Sequence, residues 1–119
     1  MKLVLVVEAE IEIGSLLVQA IKEETPNQAF LVLNAVQALQ VAREITPDLL
    51  LLDYRLPDME GFELYKLLHR IEGLEYVPAI LMSANTYYPL PDREQHKMSG
   101  LQKPPELERL LHIIRELLI

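Results

Sequence analysis

The most constraining feature of this chain is an unbroken run of four leucines, Leu49 to Leu52, that leads directly into Asp53. A continuous apolar run of this length is typical of a strand buried on both faces, as in the middle of a parallel sheet. Pro57 follows soon after, and proline does not fit the interior of a central strand. The run therefore predicts a central strand at residues 48–53 with Asp53 at its carboxyl end, where open α/β sheets bind their ligands.

Apolar, strand-like runs alternate with helical patterns along the rest of the chain. Further strands are predicted at residues 2–7, 28–33, 77–82 and 100–102. Apolar residues recur at helical spacing in residues 11–21, 35–45, 64–71 and 107–118, and a short helix is predicted at about residues 92–98. This alternation predicts an α/β fold in which βα units build a doubly wound, three-layer parallel sheet with helices on both faces.

Length and composition restrict the classes of function. The chain has 119 residues, so we expect residues 1–119 to form a single domain. No apolar run approaches the roughly 20 residues of a membrane span, and we expect no membrane contact. The chain has no cysteine, for which the cytoplasm is the default compartment. The formal net charge of −7 argues against nucleic-acid binding by this domain, because phosphate contacts need clustered lysine and arginine.

Polar residues follow the predicted strands at the points where the strands end. Glu8 comes after the first strand, Asp53 ends the third, Ser83 follows the fourth and Lys103 follows the fifth. If the sheet is parallel and the first strand is central, these four side chains meet at one edge of the sheet. A carboxylate nucleophile, a second acid, a hydroxyl and an ammonium group suit phosphoryl transfer, in which Mg²⁺ commonly takes part.

At this point the chain resembles the receiver domain of two-component response regulators over nearly its whole length. The resemblance is carried by residues 47–64 (PDLLLLDYRLPDMEGFEL), residues 77–84 (VPAILMSA) and the pair Lys103-Pro104. It implies a flavodoxin-like, five-stranded sheet in the order 2-1-3-4-5. It also implies that Asp53 is the phosphoacceptor, that Ser83 is the switch hydroxyl, that Lys103 is the lysine of the site and that the Lys103–Pro104 bond is cis.

The chain departs from the family pattern after the first strand. The family usually has two consecutive acids there, the second a direct magnesium ligand, and the matching residues are Glu8 and Ala9. The resemblance therefore implies a Mg²⁺ site formed by Glu8, Asp53 and the backbone carbonyl of Arg55, and weakened by Ala9. Glu10 is expected to point away from this site. An alternative is that the Arg55 side chain pairs with Asp53 in place of a cation.

A second departure concerns signal output. The family usually has an aromatic residue three positions before the lysine, and the matching residue is Gly100. Pro89 and Pro91 interrupt the preceding segment, so we expect a remodelled output face there, with Tyr87 or Tyr88 as substitutes for the missing aromatic. A homodimer through the helix at 92–98, the fifth strand and the last helix is an open alternative.

Three functions remain at the level of sequence. The leading one is a phosphorelay receiver that takes a phosphoryl group from a histidine kinase or phosphotransfer protein. We expect such a receiver not to be an enzyme, apart from catalysing its own phosphotransfer and dephosphorylation. The second is a receiver-like module that binds or dimerises without phosphorylation. The third, a small flavodoxin-like enzyme or cofactor carrier, is disfavoured because no glycine-rich phosphate loop follows the first strand and the chain has no tryptophan to stack on a flavin.

Overall fold

The computed structural model describes residues 2–84 and 98–118, and its centre is a five-stranded sheet. The strands are β1 (Leu3–Val7), β2 (Gln28–Val32), β3 (Leu49–Asp53), β4 (Ala79–Ser83) and β5 (Met98–Gln102). Their spatial order is β2-β1-β3-β4-β5, and every neighbouring pair is parallel. The predicted α/β class and strand order are therefore confirmed.

Helices cover both faces of this sheet. They are α1 (Ile11–Glu24), α2 (Ala35–Ile45), α3 (Gly61–Leu68) and α4 (Leu107–Leu117). Residues of α2 and α3 pack on one face, and residues of α1 and α4 pack on the other. No helix in the described ranges is long and apolar enough to cross a membrane.

The leucine run explains why β3 is central. Leu50 and Leu52 belong to the core under α2 and α3, whereas Leu49 and Leu51 belong to the core under α1 and α4. All four side chains are completely buried. Since successive side chains of a strand point to opposite faces, only a strand covered on both sides buries such a run. Burial of each leucine contributes about 1.5–3 kcal/mol.

Several element boundaries differ from the sequence prediction by one to three residues, and α3 and β5 are examples. Helix α3 spans Gly61–Leu68 rather than residues 64–71, since it begins directly after the loop that follows β3. Strand β5 begins at Met98 and not at residue 100. The helix predicted at residues 92–98 therefore cannot include Met98. The rest of that predicted helix lies outside the described residues. The same is true of the residues before it that were expected to remodel the output face, Tyr87, Tyr88, Pro89 and Pro91.

A side-chain contact ties the loop after β3 to α2. Both carboxylate oxygens of Asp58 accept hydrogen bonds from backbone N–H groups, those of Ala35 and Val36, each at 3.0 Å. Burial acts to raise the pKa of Asp58, but these hydrogen bonds outweigh it and lower the pKa. The first N–H groups of a helix have no partner within the helix, so Asp58 satisfies two of them and holds the loop in place.

Candidate functional site

The predicted site residues meet at the carboxyl edge of the sheet. Asp53 ends β3, Ser83 ends β4, and Lys103 directly follows β5. These three line one open cavity of about 320 Å³, together with Glu10, Tyr54, Arg55 and Ala84. The backbone N–H of Lys103 donates to the Ser83 carbonyl at 2.8 Å, which fixes the two chain segments side by side. The Lys103–Pro104 peptide bond is cis, as the resemblance implies.

Lys103 is the cation of the site. Its Nζ lies 2.7 Å from Glu8 Oε1 and 3.3 Å from Asp53 Oδ2. Burial lowers the pKa of Lys103, but the hydrogen bond to Glu8 and the charges of Asp53 and Glu8 outweigh this effect and raise it. The ammonium group is therefore charged at neutral pH. In the described part of the chain, no ion pair joins the Arg55 side chain to Asp53. The side chain that pairs with Asp53 is that of Lys103, and not that of Arg55 as the alternative supposed.

Glu8 lies beneath this cation and is completely buried. Its Oε2 has no hydrogen-bond partner among the described residues. Burial, together with the adjacent Asp53 carboxyl, raises the pKa of Glu8 from 4.5 to about 7, although Lys103 opposes the shift. Near neutral pH the Glu8 carboxyl is therefore protonated in part of the molecules, and this reduces the negative charge close to Asp53.

The raised pKa of Glu8 predicts a pH-dependent stability. Between pH 4.5 and about 7 the folded protein binds more protons at Glu8 than the unfolded chain does. The contribution of Glu8 to the free energy of unfolding is therefore largest below about pH 4.5 and falls as the pH rises to about 7. The total loss is up to about 3 kcal/mol, and the contribution does not change further above that pH. Glu8→Gln, whose amide oxygen still accepts from Lys103, should remove this component.

Urea unfolding of both proteins at several pH values tests this expectation. Other groups contribute to the pH dependence of each protein, so the relevant quantity is the difference between their unfolding free energies. The wild type should lose stability relative to Glu8→Gln as the pH rises from 5 to 7.5. A difference that does not change with pH would show that Glu8 has the same protonation in the folded and unfolded chains.

The loop after β3 presents a backbone carbonyl without a partner. Arg55 forms an isolated antiparallel bridge with Glu60, flanked by hydrogen bonds from Gly61 N–H to the Tyr54 carbonyl at 2.6 Å and from Leu56 N–H to the Met59 carbonyl at 3.1 Å. Within the residues described, no group donates to the Arg55 carbonyl itself. Gly61 lies against the Asp53 carbonyl, where a Cβ atom would overlap it.

The acids after β1 are arranged differently from the expectation. Glu8 is below Lys103 and does not line the cavity, whereas Glu10, which was expected to point away, does line it. Strand β1 ends at Val7, so the alternation of side chains in a strand does not fix the direction of residue 10. Sequence reasoning also missed Tyr54 and Ala84; their positions next to Asp53 and Ser83 were the available signal.

Acidic side chains alone do not form a metal cage here. In residues 2–84 and 98–118, no three histidine, aspartate or glutamate side chains come close enough together to hold a metal ion. Mg²⁺ does not need such a cage, because it is commonly bound by one or two carboxylates, with water and phosphate as the remaining ligands. Asp53 and Arg55 line one cavity, so the Asp53 carboxylate and the Arg55 carbonyl are candidates for a donor set of this kind.

Comparisons with known proteins concern the family and the fold of the chain. A family model described as the response regulator receiver domain matches residues 4–115. The polar-differentiation response regulator DivK of Brucella anthropi is 33% identical over 89 residues, which cover 71% of each protein. A receiver domain from Methylobacillus flagellatus superposes with a TM-score of 0.86 at 21% identity, over 98% of each chain.

A further solved structure shares this fold. The receiver domain of a sensor histidine kinase from Pseudomonas aeruginosa superposes with a TM-score of 0.80 at 23% identity, over 97% of this chain and 95% of that one. In that protein a magnesium ion is coordinated in the active-site cleft. At this level of identity the likeness concerns the fold.

Proposed function

Since the chain belongs to the response-regulator receiver family, which serves two-component phosphorelay signalling, we propose that Asp53 is the residue that accepts the phosphoryl group. The observation that carries this proposal is the position of Lys103 Nζ, 3.3 Å from Asp53 Oδ2, in a cavity that Ser83 also lines. It unites a nucleophile, a fixed positive charge and a hydroxyl at the carboxyl edge of a parallel sheet. Residues 1–119 act as one receiver domain in this proposal.

The reaction needs little beyond correct placement of these groups. A carboxylate oxygen of Asp53 attacks the phosphorus atom of a phosphohistidine, the P–N bond breaks, and the histidine leaves with its electron pair and takes up a proton. The product is an acyl phosphate on Asp53. Lys103 stabilises the charge on the phosphoryl oxygens, and the Ser83 hydroxyl donates a hydrogen bond to one of them.

Mg²⁺ is the cation that this site would hold. Asp53 and the Arg55 carbonyl would supply oxygen ligands at the cavity, and Glu8, paired with Lys103, would contribute negative charge nearby. When bound, Mg²⁺ would neutralise charge on the transferring phosphoryl group. Ala9 supplies no side-chain oxygen, so we expect weaker binding than at a site with two consecutive acids.

Receiver domains are signalling domains that act with histidine kinases or phosphotransfer proteins. For this chain we propose such a protein as the phosphodonor, in the cytoplasm, with phosphotransfer and dephosphorylation catalysed by the domain itself. The second candidate is a receiver-like module that binds partners or dimerises without phosphorylation, and the absence of a carboxylate at Ala9 is the observation that favours it.

Beryllofluoride separates the two candidates, because it mimics a phosphoryl group on a carboxylate. Adding it with Mg²⁺ to ¹⁵N-labelled protein should shift the amide resonances of Asp53, Ser83 and their neighbours. The Asp53→Asn variant should show no such change. Wild-type spectra that remain unchanged at millimolar Mg²⁺ would contradict phosphoryl acceptance and favour the phosphorylation-independent module.

A further inference from the structure

Glu10 has an unusual position for an acid at the start of a helix. It is the N-cap residue of α1, but its side chain makes no capping hydrogen bond. In the part of the chain that the structure describes, its carboxylate has no hydrogen-bond or ion-pair partner, and the residue is exposed. It nevertheless lines the cavity that Asp53 and Arg55 line. The carboxylate is therefore free to bind a group in that cavity.

The neighbouring residues leave no other acid for this role. Ala9 has no side-chain oxygen. Glu8 is completely buried, does not line the cavity, and gives Oε1 to Lys103 at 2.7 Å. Asp53 itself is partly neutralised by Lys103. A cation held by Asp53 as its single carboxylate would therefore be bound weakly, and among the described residues Glu10 is the other acid that lines the cavity.

We propose that Glu10 supplies the second carboxylate ligand of a divalent cation in this cavity, with Asp53 and the Arg55 carbonyl as its companions. Glu10 then takes the place of the acid that is absent at Ala9. Two carboxylates, one carbonyl and water satisfy the preference of Mg²⁺ for oxygen ligands. Glu10, the N-cap residue of α1, lines the same cavity as Asp53 and Arg55. This inference rests on the proposed phosphoryl acceptance, which is the reason to expect a cation here.

Magnesium titrations followed by ¹H–¹⁵N NMR test the assignment without any phosphodonor. The proteins to compare are the wild type, Glu10→Gln, and Glu12→Gln as a matched control. Glu12 is an exposed acid in the first turn of α1 that does not line the cavity, so its replacement changes the net charge equally. We expect Glu10→Gln to weaken the apparent affinity for Mg²⁺ about 10-fold or more. Glu12→Gln should keep the affinity of the wild type.

Phosphoryl uptake from a small phosphodonor, measured on the same samples, separates this inference from the proposed function. Equal Mg²⁺ affinities of Glu10→Gln and the wild type would overturn the role of Glu10, and phosphorylation of the wild type would still support Asp53 as the acceptor. Equal losses in Glu10→Gln and Glu12→Gln would assign the effect to net charge and also overturn it. Absence of saturable Mg²⁺ binding to the wild type would overturn it as well. Failure of the proposed function is distinguishable from these outcomes, because the wild type would then take up no phosphoryl group.

Discussion

Replacement of Asp53 by asparagine is expected to abolish phosphoryl uptake altogether. An amide oxygen does not form a stable acyl phosphate, and among the described residues no other carboxylate that lines the cavity is paired with Lys103. The fold should persist, because asparagine has nearly the same shape and can still accept a hydrogen bond from Lys103. Intact-protein mass spectrometry after incubation with a small phosphodonor and Mg²⁺ measures the result.

Asp58→Asn is the matched control for this change. Asp58 follows in the same loop, but its carboxylate binds the first N–H groups of α2 and does not line the cavity. This variant should take up one phosphoryl group, as the wild type does. If Asp53→Asn were phosphorylated to the same extent as the control, another residue would be the acceptor.

Gly61→Ala is expected to have the second largest effect, on both stability and phosphoryl uptake. A Cβ atom at Gly61 would overlap the Asp53 carbonyl oxygen and would lie 2.9 Å from Leu81 Cδ1. Backbone atoms of β3 cannot move aside without disturbing the sheet, so the methyl group must displace the start of α3 or the phosphoacceptor itself. Overpacking of this kind costs about 1–3 kcal/mol, and we expect a loss in the upper part of that range.

Urea unfolding and the rate of phosphoryl uptake together measure the effect of Gly61→Ala. The control is Gly73→Ala. Gly73 has a φ of +94°, but among the described residues, its chain neighbours aside, no atom lies within 4 Å of the position that a Cβ atom would take. This control should lose about 1 kcal/mol from backbone strain and keep its phosphoryl uptake. Gly61→Ala with wild-type stability and uptake would mean that α3 can shift without consequence for Asp53.

The fold was predictable because its strongest signals are local. Leu49 to Leu52 identify a strand buried on both faces, and the alternation of strands and helices then leaves few arrangements of the sheet. The meeting of Asp53, Ser83 and Lys103 follows from the same logic, because the carboxyl ends of parallel strands share one edge. Strand β5 was harder to delimit, since Ser99 and Gly100 have little of the β-branched or apolar character that marks a strand.

The fine structure of the site was not predictable from the pattern. Glu8 and Glu10 lie just beyond the end of β1, where the alternation of side chains no longer applies, so their directions depend on how the chain turns into α1. The raised pKa of Glu8 depends on burial beneath Lys103, a residue that is distant in sequence. Gly61 is constrained by its contact with the Asp53 carbonyl, which no local sequence signal reveals.

Chemical trapping of the phosphorylated wild-type protein tests the central claim most directly. Borohydride reduces an aspartyl phosphate to homoserine, and peptide mass spectrometry then locates the altered residue. After treatment with a small phosphodonor and Mg²⁺, homoserine should be found at position 53 and should be absent when the phosphodonor is omitted. Homoserine at another position, or none at all in a sample that received the phosphodonor, would contradict the assignment of Asp53 as the phosphoacceptor.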